Sequence, residues 1–455
     1  MSATTSRQPT GPVVPSESLR TPQMRRILAS SFLGSAIEFY DFMLYASASA
    51  IVFSKVFFAG LDPALATVAS FGTLAAGYVA RPLGGIVFGH FGDRIGRKGV
   101  LVTTMLMMGT ATALIGVLPG YAQVGVAAPL LLVALRLVQG FAVGGEWGGA
   151  MLIALEHAPG GKRGFAASFA NLGAPAGSIL SAGMLGLFTL LPEDQFLAWG
   201  WRVPFLLSIV LVLVGLFVRL KVVESPLFLR FDQEAEDRRV PLVQVLTRSP
   251  WVLVLGTLVA MSQLTISGMA SVWGLSYATA HGADQTFALN AKVLSAVALF
   301  VCTILSARLS DRFGRRPVIA VGIVAAALFA YPLVMLVATG DNVSFAVAVV
   351  GGQAIQGVIL GPLAAFLAEL FPTSVRFTGS SLAFQGASAI GAGFTPIVAG
   401  ALASSAGGLP LLAGVWIAVL AVCAAALLLA PEGSKRDLSA IDATTDPTTG
   451  PVAGK

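Results

Sequence analysis

Long apolar runs alternate with short polar gaps along this chain. Twelve runs fall at about 27–53, 66–90, 99–118, 126–154, 164–191, 203–218, 250–280, 291–307, 318–338, 343–370, 377–404 and 409–430. A helix needs roughly 20 apolar residues to cross the hydrocarbon core of a bilayer, so the pattern predicts an all-α membrane protein with twelve transmembrane helices. The first run follows 26 polar, Pro- and Ser-containing residues, carries Glu38 and Asp41, and shows no small-residue cleavage site. It reads as a retained helix rather than a signal peptide. The segment 221–249 mixes basic and acidic side chains and is the expected solvated connector between two six-helix halves, 27–220 and 250–430. The tails, 1–26 and 431–455, lie outside the membrane; the second is Thr-, Pro- and Gly-rich and expected to be disordered.

Composition agrees with this pattern. Of 455 residues, 56% are hydrophobic and 11% charged, against about 25% charged in an ordinary soluble domain. The net charge of +6 would suggest a nucleic-acid partner if the basic residues were clustered on a soluble surface, but their distribution is topological. Of the 28 Lys and Arg residues, 23 fall in the two tails and the even-numbered gaps, while the odd-numbered gaps hold only Lys55 and Arg202. That asymmetry places both termini in the cytoplasm and leaves no nucleic-acid reading. Cys302 and Cys423 sit inside apolar runs as small core residues.

The two halves echo one another. The gap after the second helix reads Gly89-His90-Phe91-Gly92-Asp93-Arg94-Ile95-Gly96-Arg97-Lys98, and the gap after the eighth reads Ala307-Arg308-Leu309-Ser310-Asp311-Arg312-Phe313-Gly314-Arg315-Arg316. Glu156 and Arg163, seven apart after helix four, recur as Glu369 and Arg376 after helix ten, with Pro159 and Pro372 in the same place. Gln139-Gly140 pairs with Gln356-Gly357. Three echoes in one order make the halves parallel duplicates, because six helices return the chain to the same side. Glycine keeps each loop tight, and Asp93 can sit at a helix N-terminus, where the dipole favours its charge. Arg97, Glu156 and Arg163, with Arg94 beside them, are expected to form an ion-pair network in the first half. Asp311, Arg312, Arg315, Glu369 and Arg376 would do the same in the second, the pairs breaking when that side opens. The alternative is that these are loop charges that only set topology.

Charges inside the spans mark where chemistry can occur, since one at the bilayer centre costs at least about 2.5–3.5 kcal/mol. Glu38 and Asp41 are three apart and share a helix face. Two close carboxylates in a low dielectric cannot both ionise cheaply, so one holds a proton; Asp41 and Glu38 are the proton-coupling pair, unless they form a static ion pair with Arg81 or Arg136. Arg136, some ten residues into helix four, offers bidentate recognition of a substrate carboxylate, or is a permanent partner of Glu38, Asp41 or Glu146. Glu146, between glycines that permit close helix contact, reads as structural. Further substrate-facing candidates are Tyr45, Asn171, Gln263, Trp273, Gln353, Gln356 and Gln385, each of which could equally bridge helices. Lys292 is expected to snorkel near the outer end of helix eight. The three histidines lie far apart, so no metal site is expected, and no G-x-x-x-x-G-K-[ST] loop is present to drive transport with ATP. The chain is not expected to be an enzyme or to carry a cofactor.

The paired G-x-x-x-D-R-x-G-R-[KR] loops, with twelve spans in two halves, resemble the major facilitator superfamily. Within it, four segments resemble the metabolite:proton symporter family of shikimate, α-ketoglutarate, citrate and proline/betaine carriers. They are Glu38-Phe39-Tyr40-Asp41-Phe42, Arg81-Pro82-Leu83-Gly84-Gly85, Gln139-Gly140-Phe141-Ala142-Val143-Gly144-Gly145-Glu146 and Trp199-Gly200-Trp201-Arg202-Val203-Pro204-Phe205. The chain departs from the pattern in opening its second loop with Ala307 and in lacking the coiled-coil tail of osmosensing carriers. Glu224-Ser225-Pro226 and Pro431-Glu432-Gly433 resemble sugar porters. The resemblance implies a secondary active transporter in the plasma or inner membrane of a bacterium. It would be a monomer whose partners are a small organic acid or zwitterion, protons and the lipid bilayer. A membrane metabolite sensor on the same scaffold, or a sugar-porter-type carrier, remains the alternative.

Overall fold

A computed structural model describes residues 19–222 and 241–434. The parts of the expected tails and connector at 1–18, 223–240 and 435–455 lie outside the described residues. Twelve long helices match the twelve apolar runs. In the first half they are α1 (Pro22–Ile51), α2 (Pro63–Ile95), α3 (Arg97–Val117), α4 (Ala127–Glu156), α5 (Arg163–Phe188) and α6 (Arg202–Leu220). The second half holds α7 (Pro250–Ala280), α8 (Gln285–Phe313), α9 (Arg315–Ala338), α10 (Asn342–Leu370), α11 (Thr373–Ala403) and α12 (Gly408–Leu429). Ten of them are long and apolar enough to cross a bilayer, counted among the described residues.

Local chemistry sets several boundaries. Thr21 accepts the N–H of Met24 at 3.2 Å, and Pro22 opens α1 where no donor is needed. Asp284 and Asp341 cap α8 and α10 by accepting from Phe287 and Ser344 at 2.7 and 2.9 Å. The duplicated loops are built alike. Gly96 turns α2 into α3 with φ of 112°, and Gly314 turns α8 into α9 with φ of 101°, a region that residues with a Cβ avoid. Successive helices are antiparallel, so both loops, the start of α1 and the end of α12 share one face, called here the motif face.

Glycines let the helices approach within each half. A Cβ at Gly140 would stand 2.1 Å from the carbonyl oxygen of Gly77, so α2 and α4 touch backbone to backbone there. Gly357, its counterpart, lies against α8, with its hypothetical Cβ 2.8 Å from the Leu299 oxygen. The halves meet along α2 with α11 and α5 with α8, a pseudo-twofold arrangement. Away from the motif face, Tyr45, Phe53, Phe57, Trp201 and Phe205 form an aromatic core. Arg202 closes α3 by donating to the carbonyls of Gly116 and Leu118 at 3.1 and 2.6 Å, which gives the Trp-Gly-Trp-Arg string a structural role.

Two expectations change. Residues 431–434 of the tail are folded onto α9: Glu432 accepts the N–H of Arg315 at 3.2 Å and of Arg316 at 2.8 Å. Burial alone would push the Glu432 carboxyl up, but these backbone donors outweigh it and hold it below its usual range. Lys292 lies on the helix face shared by the buried Ser295, Leu299 and Thr303, opposite the exposed Leu294, Val297 and Val301. It points into the bundle and does not snorkel along lipid.

Candidate functional site

Asp41 is fully buried in α1, ten residues from that helix's end, and Arg136 is fully buried about as far from the start of α4. Both therefore lie roughly 15 Å below the face opposite the motifs. Neither oxygen of Asp41 has a hydrogen-bond partner, nor does Oε2 of Glu38. No ion pair joins either carboxylate to Arg81 or Arg136, so the static pairing is absent. Arg136 is caged by aromatic rings, its guanidinium carbon 4.1 Å from the Tyr45 centroid and 4.3 Å from that of Phe42. The hydroxyl of Tyr45 donates to Thr73 at 2.7 Å, which fixes the ring beneath the cation.

One edge of Arg136 is engaged and the other is not. Nη1 donates to Oε1 of Gln139 at 3.2 Å, whereas Nε and Nη2 have no partner. Those two nitrogens form the fork that accepts a carboxylate side-on. Gly77 packs closely against this buried edge, where a Cβ would stand 2.6 Å from Nε and collide with it. Arg81 shares the Phe42 ring at 4.3 Å and reaches across to the second half, where Nη1 donates to Ser388 at 3.3 Å.

Glu146 is not a partner of Arg136. Arg219, on the last turn of α6, forms a short hydrogen-bonded ion pair with it and donates to the Leu101 carbonyl at 2.5 Å. Glu146 is thus structural, and the pair locks α6 to α3 and α4.

The polar candidates divide by what they hold. Asn171 accepts from Trp147 Nε1 at 2.8 Å and donates to the Leu360 carbonyl at 2.7 Å, bridging the halves beside the stacked rings of Trp147 and Phe384. Gln356 donates to Gln263 at 2.8 Å, and Gln353 donates to Ser271. Trp273 is buried against Tyr277, where α7 widens into a π turn at Gly268–Trp273. Gln385 reaches the Val143 and Gly144 carbonyls at 3.4 and 3.5 Å with its Oε1 unpaired.

At the motif face the charges connect the halves in a way the sequence did not reveal. Asp93 accepts the backbone N–H groups of Phe377 and Thr378 at 3.1 and 2.8 Å, capping α11. Its counterpart Asp311 accepts from Gly164 and Phe165, both at 2.8 Å, capping α5. Arg97 pairs with Glu156 at 3.2 Å and Arg315 with Glu369 at 3.1 Å, within the halves as expected. Arg376 departs from the expected grouping: it crosses to Glu156 at 3.3 Å. Arg163 likewise stands in electrostatic range of Glu369 across the interface. The charges are therefore shared between the halves: Glu156 joins Arg97 to Arg376, and Glu369 joins Arg315 and draws on Arg163. Arg94 and Arg312 are exposed beside them.

The sequence profile of the Major Facilitator Superfamily matches residues 31–388 and 293–452. The chain belongs to this superfamily. Its relatives there include the inner membrane metabolite transport protein YhjE of Escherichia coli, 42% identical over 82% of this chain and 86% of that one. The shikimate transporter of the same organism is 39% identical over 83% and 87%. The proline/betaine transporter of Salmonella typhimurium is 35% identical over 82% and 77%. A solved structure of the proton:xylose symporter XylE bound to 6-bromo-6-deoxy-D-glucose superimposes with a TM-score of 0.78 over 93% of this chain and 99% of that one, at 17% identity. It shares the fold. As a superfamily member with these relatives, the chain is a transporter of small metabolites and not an enzyme.

Several residues around the candidate site were missed from sequence. Arg219 looked like one more basic residue at the end of a helix; only its place in the last apolar turn, with an acid in helix four to answer it, hinted otherwise. Thr112 carried no signal, and Gln139 showed itself as half of a repeat and as the first residue of a family-like string, neither of which pointed to Arg136.

Proposed function

We propose that this protein carries a small carboxylate-bearing metabolite across the bacterial inner membrane together with a proton, by alternating access. The unpartnered side-on edge of buried Arg136 carries the reading. A buried guanidinium with two idle donors is costly, and a planar carboxylate satisfies both at once. Asp41, buried and without a partner, is the proton site, with Glu38 beside it. The motif face is cytoplasmic, in keeping with the basic residues gathered there. The crossed caps of Asp93 and Asp311, with the Glu156–Arg376 pair and the Arg163–Glu369 attraction between halves, hold that face shut in this state. Opening it breaks contacts between halves and leaves each half intact, as a rocking motion requires.

A thermal-shift screen of the purified protein tests this with shikimate, proline, glycine betaine and simple mono- and dicarboxylates against their amides and against hexoses. A ligand that binds only the native state raises stability. Carboxylates should stabilise, their amides should not, and Arg136→Gln should abolish the effect. Stabilisation by hexoses alone would overturn the reading in favour of a sugar-porter carrier. Binding without counterflow in proteoliposomes would make the protein a sensor. A tag at either terminus, found accessible from outside intact cells, would overturn the orientation.

A further inference from the structure

Arg136 and Asp41 are not in contact, yet a chain of polar side chains connects them. Arg136 Nη1 donates to Gln139 Oε1 at 3.2 Å, and Gln139 Nε2 donates to Thr112 Oγ1 at 2.8 Å. Thr112, on α3, stands beside Asp41 and places its own proton on the Met108 carbonyl at 2.9 Å. A guanidinium has only donors, so it fixes the amide of Gln139 with oxygen toward itself and NH2 toward Thr112. Thr112 then keeps its single proton free for one of two acceptors. In this structure the Thr112 hydroxyl lies 2.9 Å from the Met108 carbonyl and also beside Asp41, within reach of either acceptor.

We propose that Gln139 and Thr112 are positioning residues that couple the carboxylate site at Arg136 to the proton on Asp41, with the Thr112 hydroxyl as a two-position switch. With Asp41 ionised, the hydroxyl turns from Met108 to Asp41. Every donor then points from Arg136 toward the carboxylate, and successive polarisation carries part of the arginine's charge along the chain. With Asp41 protonated, the hydroxyl returns to Met108. A substrate carboxylate on Nε and Nη2 neutralises Arg136, weakens the chain and favours the protonated form. Substrate and proton thus bind with positive linkage, the sign that symport requires. The assignment rests on the reading of Arg136 and Asp41 given above.

Other groups around Asp41 are accounted for. Glu38 and Tyr40 flank it on α1, Glu146 approaches from α4 already paired with Arg219 of α6, and Arg81 and Tyr78 of α2 lie over Phe42. The only charged residue of α5, Arg163, is at the motif face.

The test needs no substrate. The protonated-carboxyl infrared band that vanishes in Asp41→Asn, and survives in Glu38→Gln, is followed against pH in the full-length protein. Thr112→Val and Gln139→Leu should each move its midpoint upward, the former by about one to two pH units, the range for a hydrogen bond to a charged group. Thr112→Ser, which keeps the hydroxyl, should titrate as wild type. Melting curves run beside the titration, and if Thr112→Val does not fold, Gln139→Leu decides. Midpoints unchanged from wild type in the folded variants overturn the coupling while leaving Asp41 as the proton site. No band lost in Asp41→Asn overturns the proton site itself and the coupling with it.

Discussion

Asp93 and Thr378 belong to different halves of the molecule, yet Asp93 accepts both the backbone N–H and the hydroxyl of Thr378, each at 2.8 Å. One helix end is thus capped by the other half, so separating the halves at the motif face would break the cap. The same geometry repeats between Asp311 and the start of α5. A cap of this kind contributes about 0.5–2 kcal/mol, enough to shift a conformational equilibrium several-fold without unfolding the protein.

Asp93→Asn and Thr378→Val should therefore favour the state open at the motif face. Cysteine pairs across that face, read by cross-linking, should join less readily in both variants, while Arg315→Lys weakens two ion pairs within one half, to Asp311 and Glu369, and changes the equilibrium less. Wild-type cross-linking and wild-type uptake in Asp93→Asn would reduce these residues to topology signals.

Asp41→Asn mimics the protonated carrier. Counterflow should persist, and uphill accumulation driven by an inward proton gradient should be lost. A purely structural carboxylate predicts instead poor expression and a lowered melting temperature. Full pH-driven accumulation in both Asp41→Asn and Glu38→Gln would move the proton site elsewhere.

Breaking the Arg219–Glu146 pair leaves one charge buried and unanswered. Glu146→Gln should cost about 3–5 kcal/mol, visible as a large fall in melting temperature, and Glu146→Gln with Arg219→Met should recover most of it. A single variant as stable as wild type would mean that water reaches the site.

Glu432 ties the end of α12 to α9 through the N–H groups of Arg315 and Arg316. Its carboxyl is held below the usual range, so its stabilisation is present above the unfolded-state value of about 4.3 and is lost as pH falls through the folded value. Glu432→Gln should melt below wild type near neutrality, and the gap should close in acid. A gap that does not narrow at low pH would assign the effect to packing of the tail.

The sequence by itself determined the number of helices, their order and the duplication. Each follows from a local rule: about 20 apolar residues cross a bilayer, basic gaps choose a side, and a loop needing positive φ at Gly96 must need it again at Gly314. It also located the charges inside the spans that had to be answered, Arg219 excepted. What it left open was which charge answers which. Arg376 pairs with Glu156 across the interface, Arg219 takes Glu146, and Arg136 keeps an unpartnered edge while Gln139 ties its other edge to Thr112. Those pairings depend on how helices far apart in sequence rotate and cross. Close glycine contacts and the docking of one half on the other decide that, because a low-dielectric interior makes each unanswered charge expensive only once its neighbours are in place.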